Sequence, residues 1–151
     1  MKAIAAFVLA ASVATFASPS MAQFAKPEDA VKYRQSALSV MGTHFGRIAA
    51  MASGKAPYDA KEAADNAAIV EFMSRLPWAG FVEGSDKVGN TKALPEVWSQ
   101  NAKFKEASEK LMAETTKLNA AAKLGTLDGL KAAVASTGSA CKGCHDIFRA
   151  K

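Results

Sequence analysis

Between Pro27 and Gly54 apolar residues return at three- and four-residue steps: Val31, Leu38, Met41, Phe45, Ile48 and Ala52. That period lays one apolar stripe along a helix. Pro27 suits a first turn, and Glu28 and Asp29 suit the positive end of a helix dipole. A second helical stretch is predicted from about Asp59 to Leu76, stopped by Pro77, with Ile69, Phe72 and Leu76 on its inner face. A third opens at Pro95 and runs to about Leu124, where Gly125 ends it. Its stripe is Val97, Phe104, Leu111 and Leu118, with Asn101, Ser108 and Thr115 between. Thr126 is the expected N-cap of a fourth helix carrying Leu127, Leu130 and Val134. No segment alternates at the two-residue period of a half-buried strand. The expected fold class is therefore all-α, an antiparallel four-helix bundle, an architecture whose core hosts cofactors. The connection from Pro77 to Leu94 holds Gly80, Gly84 and Gly89 and reads as one long surface crossing, with Trp78 and Phe81 tucked inward near its start.

Residues 1–22 follow a different pattern. Lys2 precedes an apolar run from Ala3 to Phe16, broken only by Ser12 and Thr15, and Ser20-Met21-Ala22 places small residues at the −3 and −1 positions of a cleavage site. The run is short for a membrane span, so a cleaved export signal is expected rather than an anchor. The expected organisation is a leader over 1–22 and one exported domain over 23–151. Loss of Lys2 lowers the formal charge from +5 to +4. Lys and Arg are interspersed with Asp and Glu, so the excess fits encounters with acidic partners and gives no basic stripe of the kind that binds nucleic acid.

The chemistry concentrates in Cys141-Lys142-Gly143-Cys144-His145, a C-x-x-C-H sequence, which is the attachment signal of a c-type haem. On a helix Cys141 and Cys144 are three apart and Cys141 and His145 four apart, so all three share one face. Each thiol adds across one porphyrin vinyl group, and His145 then reaches the iron. Gly143 lacks a side chain and is expected to let the backbone lie close to the macrocycle. A disulfide here would close a tiny loop of little entropic worth. A thioredoxin-like site wants a βαβ context, and a structural zinc wants four ligands where the cysteines have only His44 and His145 beside them.

What faces His145 across the iron decides the chemistry. Methionine is a common second ligand in electron-transfer cytochromes. Met41 and His44 are the candidates for that position, giving a six-coordinate alternative. Met41 lies on the apolar stripe, where a core role is the better reading, and His44 lies off it. An iron with no strong distal protein ligand is expected. Arg34 interrupts the first helix's stripe, and an arginine there calls for an anion or a route to solvent. The haem propionates supply such anions, with Gln35 as a weaker contact. Arg149, one turn past His145, either touches the proximal haem face or complements the C-terminal dipole. Ala49 and Met51, off the stripe, offer contact surface.

Together these blocks are identified as those of a family. The stretch from Gln23 to Leu38, then His44 to Arg47, Leu76 to Ala79, Pro95 to Trp98, and Cys141 to Asp146 with Arg149, resembles the cytochromes c′, class II c-type cytochromes. The resemblance implies a left-handed four-helix bundle, commonly a periplasmic homodimer, with five-coordinate high-spin iron on His145. It places Leu38 over the vacant distal face, Arg34 and Gln35 beside the propionates, Arg149 at the proximal face, and Trp78 and Phe81 near the haem edge. Low-spin relatives carry a methionine where this chain has Leu38. A leucine offers bound dioxygen no hydrogen bond, so the implied ligands are nitric oxide and carbon monoxide, alongside single-electron transfer with an unknown redox partner. An enzyme is not expected: a peroxidase wants a distal His–Arg pair, and no such pair is apparent opposite His145.

Overall fold

The computed structural model describes residues 23–151, so the leader read in residues 1–22 lies outside the described residues. Four long helices and one short one carry the fold: α1 (Pro27–Ala52), α2 (Ala60–Met73), the short α3 (Glu96–Ser99), α4 (Asn101–Lys123) and α5 (Leu127–Phe148). α2 packs on α1 and α4, and α5 packs on α4 and α1, which closes a four-helix bundle of α1, α2, α4 and α5. Among the described residues the only strand-like feature is an isolated antiparallel bridge between Ala93 and Arg149.

Helix ends follow the local chemistry. Pro27 occupies the first turn of α1 with Glu28 and Asp29 beside it. The Asp59 side chain accepts from the Glu62 backbone N–H at 2.8 Å and caps α2. Gly54 (φ 74°) and Gly125 (φ 70°) supply the left-handed turns after α1 and α4. Thr126 is the N-cap of α5, but its hydroxyl makes no capping bond.

Three sequence expectations are corrected. The second helix ends at Met73, and Leu76 lies beyond it. Its inner face is Ala63, Asn66, Ala67 and Val70, while Ile69 is exposed and Phe72 is 64% exposed. The large apolar residues sit on the wrong phase: two alanines one turn apart let α2 approach its neighbours closely, and that phase leaves Ile69 and Phe72 outside. The third helix is broken at Gln100 (φ −117°, ψ 42°), which lets Val97 turn in to pack with Phe104 and Phe148. Met51, expected off the stripe, is 3% exposed and belongs to the main core beside Ile48 and Leu118, so it offers no contact surface.

The core otherwise follows the stripes. Ile48, Leu118 and Leu130 are fully buried, each worth about 1.5–3 kcal/mol relative to exposure. Between α2 and α4 the Glu71 carboxylate accepts from Asn119 Nδ2 and from Thr116 Oγ1 at 2.9 Å, with Arg75 at 3.2 Å. These bonds, that from Asn119 foremost, hold Glu71 below the ordinary carboxylate range.

The connection after α2 is not a plain surface crossing. It begins with a 3-10 turn over Pro77–Gly80 that lies against α1. A Cβ on Gly80 would stand 2.7 Å from the Ala30 carbonyl oxygen and 2.9 Å from Arg34 Cβ. Gly80→Ala is therefore expected to destabilise the protein by about 1–3 kcal/mol through forced separation of the turn from α1. Thermal melts of the two proteins check this, and equal midpoints would count against that close approach.

Candidate functional site

α1 and α5 touch less than the other neighbouring long helices, and a cavity of about 680 Å³ opens between them. That volume lies in the range of small-molecule and cofactor sites. α1 contributes Arg34, Gln35, Leu38, Met41, Gly42 and Phe45 to one wall, and α5 contributes Gly138, Cys141, Cys144, His145 and Phe148 to the other. Trp78, Phe81 and Phe104 close one end. Their rings stack edge to face: Phe81 and Phe104 centroids lie 4.8 Å apart, Trp78 and Phe104 5.8 Å, and Phe104 and Phe148 5.2 Å.

The helical spacing of the motif has the expected consequence. Cys141, Cys144 and His145 all line the cavity, and the two cysteines are free thiols. Burial pushes the Cys141 thiol up. Burial, then the neighbouring Cys141, pushes Cys144 up to about 11. Burial and the Arg149 charge lower His145, against a smaller opposing effect of Asp146, which favours the neutral imidazole that ligates metals. Gly143 is exposed and does not line the cavity; the α5 glycine that does is Gly138.

Arg34 is 2% exposed, and both terminal nitrogens of its guanidinium make two hydrogen bonds. One donates to the Gly80 carbonyl at 2.7 Å and Ser85 Oγ at 2.6 Å, the other to the Ser85 carbonyl at 2.9 Å and Thr91 Oγ1 at 2.7 Å. The guanidinium carbon stands 4.6 Å from the Phe81 ring centroid. Burial lowers the Arg34 pKa, partly offset by Asp86, and arginine stays charged regardless. Gln35 Nε2 donates to the Asn90 carbonyl at 2.7 Å. His44 does not line the cavity; its Nδ1 lies 2.7 Å from Asn66 Oδ1 on α2. Leu38, Trp78, Phe81 and Arg149 do line it, as does Met41. Asn90, Thr91 and Lys92 also line it and escaped the sequence reading, because loop residues obey no periodicity that points them anywhere.

These residues fit a porphyrin. Among the described residues no three His, Cys, Asp or Glu side chains converge to hold a bare metal ion, so His145 wants an iron whose other ligands come with it. The walls are apolar, the thiols and imidazole share one face, and no Asp or Glu lines the cavity. A helical bundle with a C-x-x-C-H face turned into such a cavity defines a c-type cytochrome of the bundle class. The family model for cytochrome c′ matches residues 29–149. The chain is 55% identical over 129 residues to cytochrome c′ of Rubrivivax gelatinosus, covering 85% of this chain and 100% of that one. It is 48% identical over 129 residues to cytochrome c′ of Alcaligenes xylosoxydans, covering 85% and 99%. The crystal structure of the Rubrivivax protein superposes with a TM-score of 0.82 over 85% of this chain and 100% of that chain, at 55% identity. This chain belongs to the cytochrome c′ family, and its cofactor is a covalently attached haem c with its iron.

Proposed function

We propose that the exported domain, residues 23–151, is a periplasmic haem protein. Its iron is five-coordinate and high-spin on His145, it binds nitric oxide or carbon monoxide on the α1 side, and it passes single electrons. The haem supplies the redox-active, ligand-binding iron. Cys141 and Cys144 hold it to α5, and Leu38 stands on the opposite wall without a hydrogen-bond donor. Leu38 on the α1 wall is the observation that carries the reading, since a leucine there would cover the distal face and has no atom that ligates iron. His44 is committed to Asn66 and is no ligand on this reading. A nitric oxide complex exists for a leucine-to-alanine variant of the Alcaligenes relative, 46% identical, with a TM-score of 0.78. No helix among the described residues is long and apolar enough to cross a membrane. Arg34 and Gln35 stand on the propionate side, Arg149 on the proximal side, and Trp78 and Phe81 at the haem edge. The domain acts as a carrier and gas binder rather than an enzyme, works as a homodimer, and meets a periplasmic redox partner of acidic surface.

Met41 also lines the cavity, which favours one second reading: a six-coordinate, low-spin iron with its thioether as the distal ligand. Absorption spectra of the purified protein, oxidised, reduced and treated with nitric oxide, separate the two. A high-spin ferrous spectrum that changes on adding nitric oxide supports the vacant site. A low-spin spectrum at rest sinks it.

A further inference from the structure

We propose that Lys92 is the cation that holds a haem propionate at the cavity mouth, and that Arg34 is the positioning residue that presents it. This rests on the haem reading above and names a binding residue within it.

Arg34 is the residue whose place in the stripe called for an anion, yet four of the five N–H groups of its guanidinium are committed inside the protein. Each terminal nitrogen carries two hydrogens, and all four bonds go to Gly80, Ser85 and Thr91. Its partners are neutral oxygens of the loop between the 3-10 turn and α3. Gln35 likewise spends a donor on the Asn90 carbonyl. Besides Arg149, one turn past His145 at the end of α5, the cavity's remaining cation is the next residue along that loop.

Lys92 lines the cavity and is exposed. Among the described residues no carboxylate pairs with it. Its backbone is clamped from both sides. Thr91 Oγ1 accepts from Arg34 on α1 and from the Ala93 backbone N–H at 3.1 Å. On the other side the Lys92 carbonyl accepts from the Ala150 N–H at 2.8 Å, and the Leu94 N–H donates to the Phe148 carbonyl at 2.9 Å. The segment carrying Lys92 therefore bridges α1 and the end of α5, the two helices that wall the cavity. A carboxylate on a porphyrin buried in that apolar cavity belongs at its polar rim, where an unpaired ammonium on an ordered backbone meets it at small ordering cost. No acidic residue lines the cavity to compete.

The test is a pH titration of the haem potential in the purified holoprotein and its Lys92→Gln and Lys92→Arg variants. An opposite charge within about 4–6 Å lowers a carboxyl pKa by about 1–3 units. Lys92→Gln is therefore expected to move the propionate-linked break in the potential–pH curve upward by about one unit. It should also lower the potential at neutral pH, because a positive charge favours the reduced haem. Lys92→Arg should restore the parent curve. The shift should persist at about 0.5 M salt, where distant surface charges are screened and a close pair is screened less. A Lys92→Gln curve that superposes on the parent overturns the proposal, and so does a shift that disappears with salt. Haem absorbance per protein should be unchanged in both variants. Its absence from the parent protein would instead sink the haem reading, so the two failures are distinguishable.

Discussion

Leu38→Ala is expected to raise the carbon monoxide association rate of the reduced protein at least about tenfold, which corresponds to about 1.4 kcal/mol off the barrier. Leu38 is half-buried and packs beside the main core while facing the cavity from α1. A ligand approaching the iron from that side must displace its isobutyl group, and alanine removes the group without adding any hydrogen-bond donor. The gain should therefore fall on association, with no new stabilisation of the bound gas. Gly42, one turn on, adds no side chain that would close the gap, since even a Cβ there meets nothing within 4 Å. Flash photolysis of the carbon monoxide complex measures the rate. An unchanged rate would mean that entry is controlled elsewhere and would remove Leu38 from its proposed role.

Arg34→Ala should lower the stability of the holoprotein by about 3–5 kcal/mol, among the largest effects of any single substitution in this chain. The loss combines charge-assisted hydrogen bonds with buried acceptors left unpaired, notably the Gly80 carbonyl and both oxygens of Ser85, which is itself fully buried. Arg34→Lys should recover only part of it, because an ammonium has three donors and no planar fork to span the same four acceptors. Urea denaturation followed by helical circular dichroism reads the difference. A loss below about 1 kcal/mol would show that the loop is held by other means.

Hydrogen bonding of this kind is what a one-dimensional reading misses. Arg34 is conspicuous in the sequence because it breaks the Val31–Leu38 stripe, and a missing anion is the natural inference from that. Its acceptors within the protein lie 46 to 57 residues away, in a loop whose glycines and polar residues carry no period. Residue size misled in α2 for a related reason. Ile69 and Phe72 are the largest apolar side chains there, but burial goes to the face that lets helices approach, and Ala63 and Ala67 define it. The break at Gln100 is equally silent in the sequence, since apolar spacing runs through it without a proline or glycine to mark it.

Where a property depends on residues within a turn or two of one another, the chain alone determined it. The helical class, the ends at Gly54 and Gly125, the stripes of α1 and α4, and the shared face of Cys141, Cys144 and His145 all follow from fixed backbone geometry. Tertiary structure decided everything that joins distant segments: which α2 face is buried, the clamping of the 91–94 segment between α1 and α5, and the convergence of Leu38, Trp78, Phe81 and Lys92 on one cavity. Local periodicity specifies the direction of a side chain from its own helix axis, whereas its partner is set by how the helices dock, a balance of packing and polar satisfaction across the whole bundle.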